Sequence, residues 1–253
     1  DDVDQKVADL HTYSMSDTTA DLYAFDSRFT GKSSAFKVTY EGKTYQFETR
    51  LAGRFNIYNT LGAIGAALSE GISMETIAAA MKTFHSVPGR FELIDEGQSF
   101  TVVVDYAHTP DGLEKILTTA QEITKGRILV VFGCGGDRDK MKRPIMGRIA
   151  ARYADVAIVT SDNPRTEDPE TIVKEVAAGV EEVKAEKPSL QVEVVVDRRS
   201  AIQKAISLAK GDDIVLIAGK GHEDYQILKD KTIHFDDREE ARKALKESGA
   251  ARF

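Results

Sequence analysis

Four short stretches of the 253-residue sequence hold most of its chemically unusual residues: DYAHTPDG from Asp105, GCGGDRDK from Gly133, SDNPRTEDP from Ser161 and GKGHED from Gly219. In SDNPRTEDP, Arg165 can hold a ligand carboxylate in a planar fork, while Asp162 and Asn163 beside it take an ammonium group. In GCGGDRDK, three glycines let the backbone approach a ligand, and Arg138 suits a carboxylate or a phosphate. GKGHED adds Glu223, which can pair with a ligand ammonium. DYAHTPDG adds Asp105, suited to a ribose hydroxyl, and His108, suited to a phosphate. Each stretch also has a plain structural reading. These are a tight turn with a solvated charge cluster, a turn into a capped helix at Asp168-Pro169, a solvated loop histidine at His222, and the N-cap of a helix at Pro110. Cys134 has no evident catalytic partner and reads as a small buried residue.

The elements around these stretches give them a common place. From about Val87 onward, strand-like runs alternate with amphipathic segments. The runs are SFTVVVDY, RILVVFG, DVAIVTS, LQVEVVVD, DIVLIAG and the shorter TIHFD, several of them apolar throughout, as expected of parallel strands covered on both faces. Between them, Leu113, Ile116, Leu117 and Ala120 form one helical stripe. Ile172, Val173, Val176 and Val180 form a second, and Ala201, Ile202, Ala205, Ile206 and Ala209 a third. Such alternation predicts a Rossmann-like, doubly wound, mostly parallel α/β sheet. In that architecture ligands bind at the carboxyl ends of the strands, so all four loops are expected on one edge.

Residues 1–86 read differently. AFKVTY and KTYQFETR flank Glu41-Gly42 as a β-hairpin. Two helices follow. Leu61, Ile64, Gly65 and Leu68 share a face of the first; Ser73 caps the second, with Ile77, Met81 and Phe84 along one side. Two domains, 1–86 and 87–253, fit the length. GKSS at Gly31 and GKT at Gly42 resemble the tail of a P-loop, but Asp26 and Lys37 stand where the leading glycine is required, so both read as hairpin turns.

Composition narrows the classes. With 42% hydrophobic and 30% charged residues the chain is an ordinary globular one. A net charge of −7, with no tryptophan, argues against nucleic-acid binding. One cysteine excludes an internal disulfide and fits a reducing compartment. No apolar run reaches the length of a membrane span, and the acidic start DDVDQKVADL is not a signal peptide.

GRFNIYNTLGAIGAAL, VPGRFELID, DYAHTPDGLEKIL, FGCGGDRDKMKRPIMG, SDNPRTEDPETI, AGKGHEDYQ and HFDDREEA occur in that order. The series resembles the carboxyl-terminal half of the diaminopimelate-adding members of the Mur ligase family. The likeness covers nearly the whole chain and is loose only over the first fifty residues. It implies that residues 1–86 end a central ATPase domain and that 87–253 form an amino-acid-binding domain. It also implies a cytoplasmic, ATP- and Mg²⁺-dependent ligase of peptidoglycan synthesis. Such an enzyme phosphorylates the D-glutamate carboxylate of UDP-N-acetylmuramoyl-L-alanyl-D-glutamate, and the amine of meso-diaminopimelate attacks the acyl phosphate. By resemblance, Arg138, Asp162, Asn163, Pro164, Arg165, Gly219 and Glu223 bind meso-diaminopimelate. Asn56 and Asn59 lie beside adenine, and Arg90, Asp105 and His108 contact phosphate and ribose. The family's P-loop, magnesium-site acid, carbamylated lysine and nucleotide-sugar domain would all precede this sequence. The chain is therefore expected to be a fragment, inactive by itself, with its catalytic and metal-binding residues unassigned. Two alternatives are a catalytically silent amino-acid-binding module and a related ligase with another acceptor.

Overall fold

A computed structural model describes residues 10–30, 33–84 and 87–250. The chain divides into two compact units, Asp1–Ser86 and Val87–Phe253. No helix among the described residues is long and apolar enough to cross a membrane.

The first unit carries strands β1 (Tyr13–Ser14), β2 (Leu22–Thr30), β3 (Ser33–Tyr40) and β4 (Lys43–Thr49), in that spatial order. Helices α1 (Arg54–Ser69) and α2 (Met74–Thr83) follow. Tyr40 pairs with Lys43 across Glu41-Gly42, and both turn residues have positive φ, +48° and +73°. That is the twist a two-residue hairpin requires. The other turn reading, at Gly31, lies outside the described residues. Leu22, Ala24, Phe36, Val38 and Phe47 of the sheet pack against Ile57, Leu61, Ile64, Met74 and Ile77 of the helices. Ser73 caps α2 through the Thr76 N–H. The expected stripe of α2 is shorter than read: Phe84 is the C-cap, has left helical geometry and is 41% exposed. The nine-residue β2 was not legible as one strand, because in its outer half only Phe29 is apolar and a register shift interrupts it between Phe25 and Arg28.

The second unit is built on a six-stranded sheet. Its elements are β5 (Glu92–Leu93), β6 (Thr101–Asp105), α3 (Pro110–Ile123), β7 (Ile128–Phe132), α4 (Lys142–Tyr153), β8 (Val156–Val159), α5 (Pro169–Lys184), β9 (Gln191–Val194), α6 (Arg198–Leu208), β10 (Ile214–Ala218), β11 (Tyr225–Ile227), β12 (Thr232–His234) and α7 (Asp237–Glu247). The order is β5-β6-β10-β7-β8-β9, parallel except for β5 against β6. One sheet face, with Val102, Val104, Leu129, Val131, Val215 and Ile217, packs on α6 and α7 through Ile202, Ile206, Ala241 and Leu245. Helices α3, α4 and α5 pack on one another and on the strands. With period-2 side-chain alternation, they cover the opposite face. The sheet is thus doubly wound. TIHFD does not join it: Thr232–His234 pairs antiparallel with β11 in a separate two-stranded sheet.

Candidate functional site

Parallel strands that start from one edge must all end at the other. β6, β10, β7 and β8 therefore deliver their following loops to a common edge, and these loops enclose a cleft of about 300 Å³. Arg138, Asp162, Asn163, Arg165, Gly219 and Glu223 line it, together with Tyr106, His108, Thr109, Gly135, Asp139 and Lys142. Six of the seven residues expected at the acceptor thus share one cleft. The seventh, Pro164, is buried behind it.

The loops are zipped together by backbone. Gly136 N–H donates to the Asn163 carbonyl at 2.9 Å, and Arg165 Nη1 donates to the Gly136 carbonyl at 2.9 Å. A Cβ on Gly136 would collide with the Pro164 carbonyl, and one on Gly133 with the Thr160 carbonyl. These two glycines therefore serve loop-on-loop approach rather than the close ligand approach read from the sequence; of the three glycines in this loop, Gly135 alone lines the cleft. β11 supports the DNPR segment from below. Arg165 N–H donates to the Ile227 carbonyl at 3.0 Å, Ile227 N–H to Asn163 Oδ1 at 2.9 Å, and Gln226 Nε2 to the Asp162 carbonyl at 2.7 Å. Arg165 itself has φ +52°, a conformation that aims its side chain off the regular path.

The electrostatics of the cleft are lopsided. Among the described residues, the Arg165 guanidinium donates only to the backbone carbonyls of Gly136 and Asn163, and the Arg138 guanidinium only to that of Asp137. Neither has a carboxylate partner. Asp162 is 7% exposed, and its Oδ1 accepts no hydrogen bond. The Lys220 ammonium, 3.6 Å away, compensates its charge without a hydrogen bond. Glu223 Oε2 accepts from Asn163 Nδ2 at 2.9 Å and from Lys220 Nζ at 3.1 Å.

The residues expected at the nucleotide are placed less uniformly. Asn56 and Asn59 lie on α1 of the first unit, where Asn56 Nδ2 donates to the Ala52 carbonyl at 2.8 Å and Asn59 is exposed. In the second unit, the Arg90 guanidinium stacks on the Tyr106 ring at 4.8 Å. His108 Nδ1 lies 2.8 Å from the Tyr106 carbonyl. A carbonyl only accepts, so Nδ1 carries the proton. Asp105 does not line the cleft. Its oxygens accept from the N–H groups of Phe91 and Ala107, each at 2.7 Å, while burial pushes its carboxyl above the ordinary range. Among the described residues no group of three or more His, Cys, Asp or Glu side chains is placed to hold a metal ion.

Three buried cations escaped the sequence reading. Arg143 bridges Glu167 and Glu175, Arg198 grips Asp237, and Lys220 sits beneath Asp162 and Glu223, all with fully buried side chains. A signal was present for the two arginines. Arg143 falls in step with buried Met146, Gly147 and Ala150, and Arg198 with Ala201, Ile202 and Ala205. A charge on an apolar stripe implies a buried partner.

Comparison with known proteins agrees with this architecture. Residues 89–221 match the family model "Mur ligase, glutamate ligase domain", and residues 2–67 match "Mur ligase middle domain". The chain belongs to the Mur ligase family. It is 49% identical over 238 residues to a UDP-N-acetylmuramoyl-L-alanyl-D-glutamate–2,6-diaminopimelate ligase of Clostridium botulinum, covering 93% of this chain and 48% of that protein. It is 50% identical over 242 residues to the ligase of the same name from Geobacillus kaustophilus, covering 96% and 48%. A solved structure of a ligase with that name superposes with a TM-score of 0.72 at 37% identity, over 94% of this chain and 48% of the other. The UDP-N-acetylmuramate–alanine ligase of Thermotoga maritima, at 18% identity and a TM-score of 0.65, shares the fold; it covers 96% of this chain and 48% of its own. The chain spans about half the length of the curated relatives it matches.

Proposed function

We propose that the cleft of the second unit binds meso-diaminopimelate as the acceptor of an ATP-dependent amide ligase. This ligase extends UDP-N-acetylmuramoyl-L-alanyl-D-glutamate in cytoplasmic peptidoglycan synthesis. In this reading residues 1–86 are the end of the central ATPase domain and 87–253 the acceptor domain. ATP activates the glutamate carboxylate as an acyl phosphate. The acceptor amine attacks its carbonyl carbon, phosphate leaves, and the amine gives up a proton. Mg²⁺ would accompany the nucleotide phosphates. Asn56 and Asn59 would face adenine, and Arg90 and His108 the phosphates. Asp105 would act through the loop it braces, since both its oxygens are engaged.

The observation that carries the reading is the pairing of opposite vacancies in one cleft. Among the described residues Arg138 and Arg165 lack carboxylate partners, and nothing hydrogen-bonds to Glu223 Oε1. Diaminopimelate has two carboxylates and two ammonium groups; lysine lacks the second carboxylate. A ligand without it leaves a half-buried guanidinium unmatched. A charge-assisted hydrogen bond contributes about 1.5–3 kcal/mol, or roughly 10- to 150-fold in affinity. Calorimetric titration of the chain is expected to show meso-diaminopimelate preferred over L-lysine by that factor. Arg165→Ala should bring the two amino acids to similar affinities. Equal affinity in the wild-type chain overturns the reading.

A further inference from the structure

Lys220 does not line the cleft, yet it touches the residues that do. Its side chain is fully buried. Nζ lies 3.1 Å from Asn163 Oδ1, 3.1 Å from Glu223 Oε2 and 3.6 Å from Asp162 Oδ1. The last distance exceeds a hydrogen bond, so Asp162 Oδ1 is ion-paired with Lys220 but accepts no hydrogen bond. The flanking glycines turn Lys220 inward. Gly219 has φ +124° and Gly221 φ +54°, and a Cβ on Gly221 would stand 2.6 Å from Tyr106 Cβ. Burying a lysine is costly unless its neighbours repay the lost hydration, and here three polar side chains surround it.

We propose that Lys220 is a positioning residue for recognition of the acceptor's ammonium group. This rests on the proposed function, in which the cleft takes an amino acid. Asn163 shows how the positioning works. Its amide oxygen is drawn down by Lys220 Nζ and by Ile227 N–H, which turns its Nδ2 toward Glu223 Oε2 at 2.9 Å. Glu223 Oε2 is thereby held from two sides, and among the described residues nothing hydrogen-bonds to Oε1. Glu223 Oε1 remains as an acceptor at the cleft, with the Asp162 carboxylate beside it in the lining. The charges agree: two carboxylates and one lysine leave one net negative charge, the complement of one ammonium.

Removal of Lys220 has two opposed effects. Loss of a positive charge strengthens the general attraction for an ammonium ion, whereas loss of geometry frees Asn163 and Glu223. The proposal requires that geometry dominate. Lys220→Met and Lys220→Gln in the full chain separate the two. Without ligand, NMR should show slowly exchanging Asn163 side-chain amide protons in the wild type and loss of that protection in Lys220→Met. With ligand, Lys220→Met should bind meso-diaminopimelate about tenfold or more weakly. Lys220→Gln, which keeps an N–H donor, should recover part of the loss. Because Lys220 acts through Glu223, adding Lys220→Met to Glu223→Gln should weaken binding no further; a merely structural role predicts additive losses. Unchanged Asn163 protection, or equal or tighter binding by Lys220→Met, overturns the proposal. If the wild type binds diaminopimelate and lysine equally, the acceptor assignment fails, while the Asn163 amide protons still decide the positioning role.

Discussion

Arg198 and Asp237 form a fully buried ion pair behind the cleft, and its loss should be felt in both stability and binding. Arg198 Nε and Nη2 donate to the two Asp237 oxygens at 2.8 and 2.7 Å, Nη2 also reaches the Ala218 carbonyl at 3.0 Å, and Nη1 the Ser161 carbonyl at 3.4 Å. Burial works against the charge on Arg198. Asp237, with Asp162 and Glu223 beyond it, outweighs that and holds its pKa above the ordinary value. Arg198→Met strands the Asp237 carboxylate in the interior. Removing one partner of a buried pair costs about 3–5 kcal/mol, whereas replacing both by apolar residues is often neutral or stabilising. In a unit of this size each kcal/mol shifts the melting temperature by about 2–4 °C, so the single variant should melt roughly 6–20 °C lower. Arg198→Met with Asp237→Leu should return to within about 1 kcal/mol of the wild type. Since the chain has no tryptophan, urea unfolding followed by far-UV circular dichroism is the suitable assay. The Ser161 and Ala218 carbonyls immediately precede Asp162 and Gly219, so the single variant should also lose acceptor affinity while still folded. A single variant that loses under about 1 kcal/mol, or a double variant as unstable as the single, would refute the reasoning.

Two further outcomes follow from groups near the same loops. Arg143 first, then the Asp137 N–H and Lys140, hold the Glu167 carboxyl down to about 2 from its ordinary 4.5. A depressed carboxylate contributes stability that is full above pH 4.5 and lost as the pH falls toward 2. Glu167→Gln should therefore flatten the dependence of the urea midpoint on pH in that window, and an unchanged slope contradicts the assignment. Burial pushes the Cys134 thiol up to about 12. Iodoacetamide at pH 8 should accordingly label it only as fast as the second unit opens, and immediate stoichiometric labelling of the native chain would show that the thiol is not buried.

Local pattern carried much of the architecture. The stripes at Leu113–Ala120, Ile172–Val180 and Ala201–Ile206 fall on buried helix faces, because helical periodicity depends only on neighbours in the chain, whereas Ala209, read as the end of the third stripe, is the half-buried C-cap beyond α6. Thr109 and Asp168 cap their helices ahead of proline, as their residue types required. The common edge for the four loops followed from β–α alternation, since parallel strands joined by crossovers must end together. Beyond that range the residues were silent. Nothing near Ile214 tells β10 to lie between β6 and β7, because strand order is settled by long-range packing. Nothing in Tyr225–Ile227 marks a support for the DNPR backbone. Gly133 and Gly136 could not be told from ligand-facing glycines until the loop opposite them was placed. The sharpest case is Lys220. In one dimension it is a lysine in a polar loop, most simply solvated. Only when the loops after β8 and β10 meet do Asn163, Asp162 and Glu223 surround its ammonium and repay the lost hydration. Residue type determines which contacts a side chain can make; the approach of segments nearly sixty residues apart decides which of them it does make.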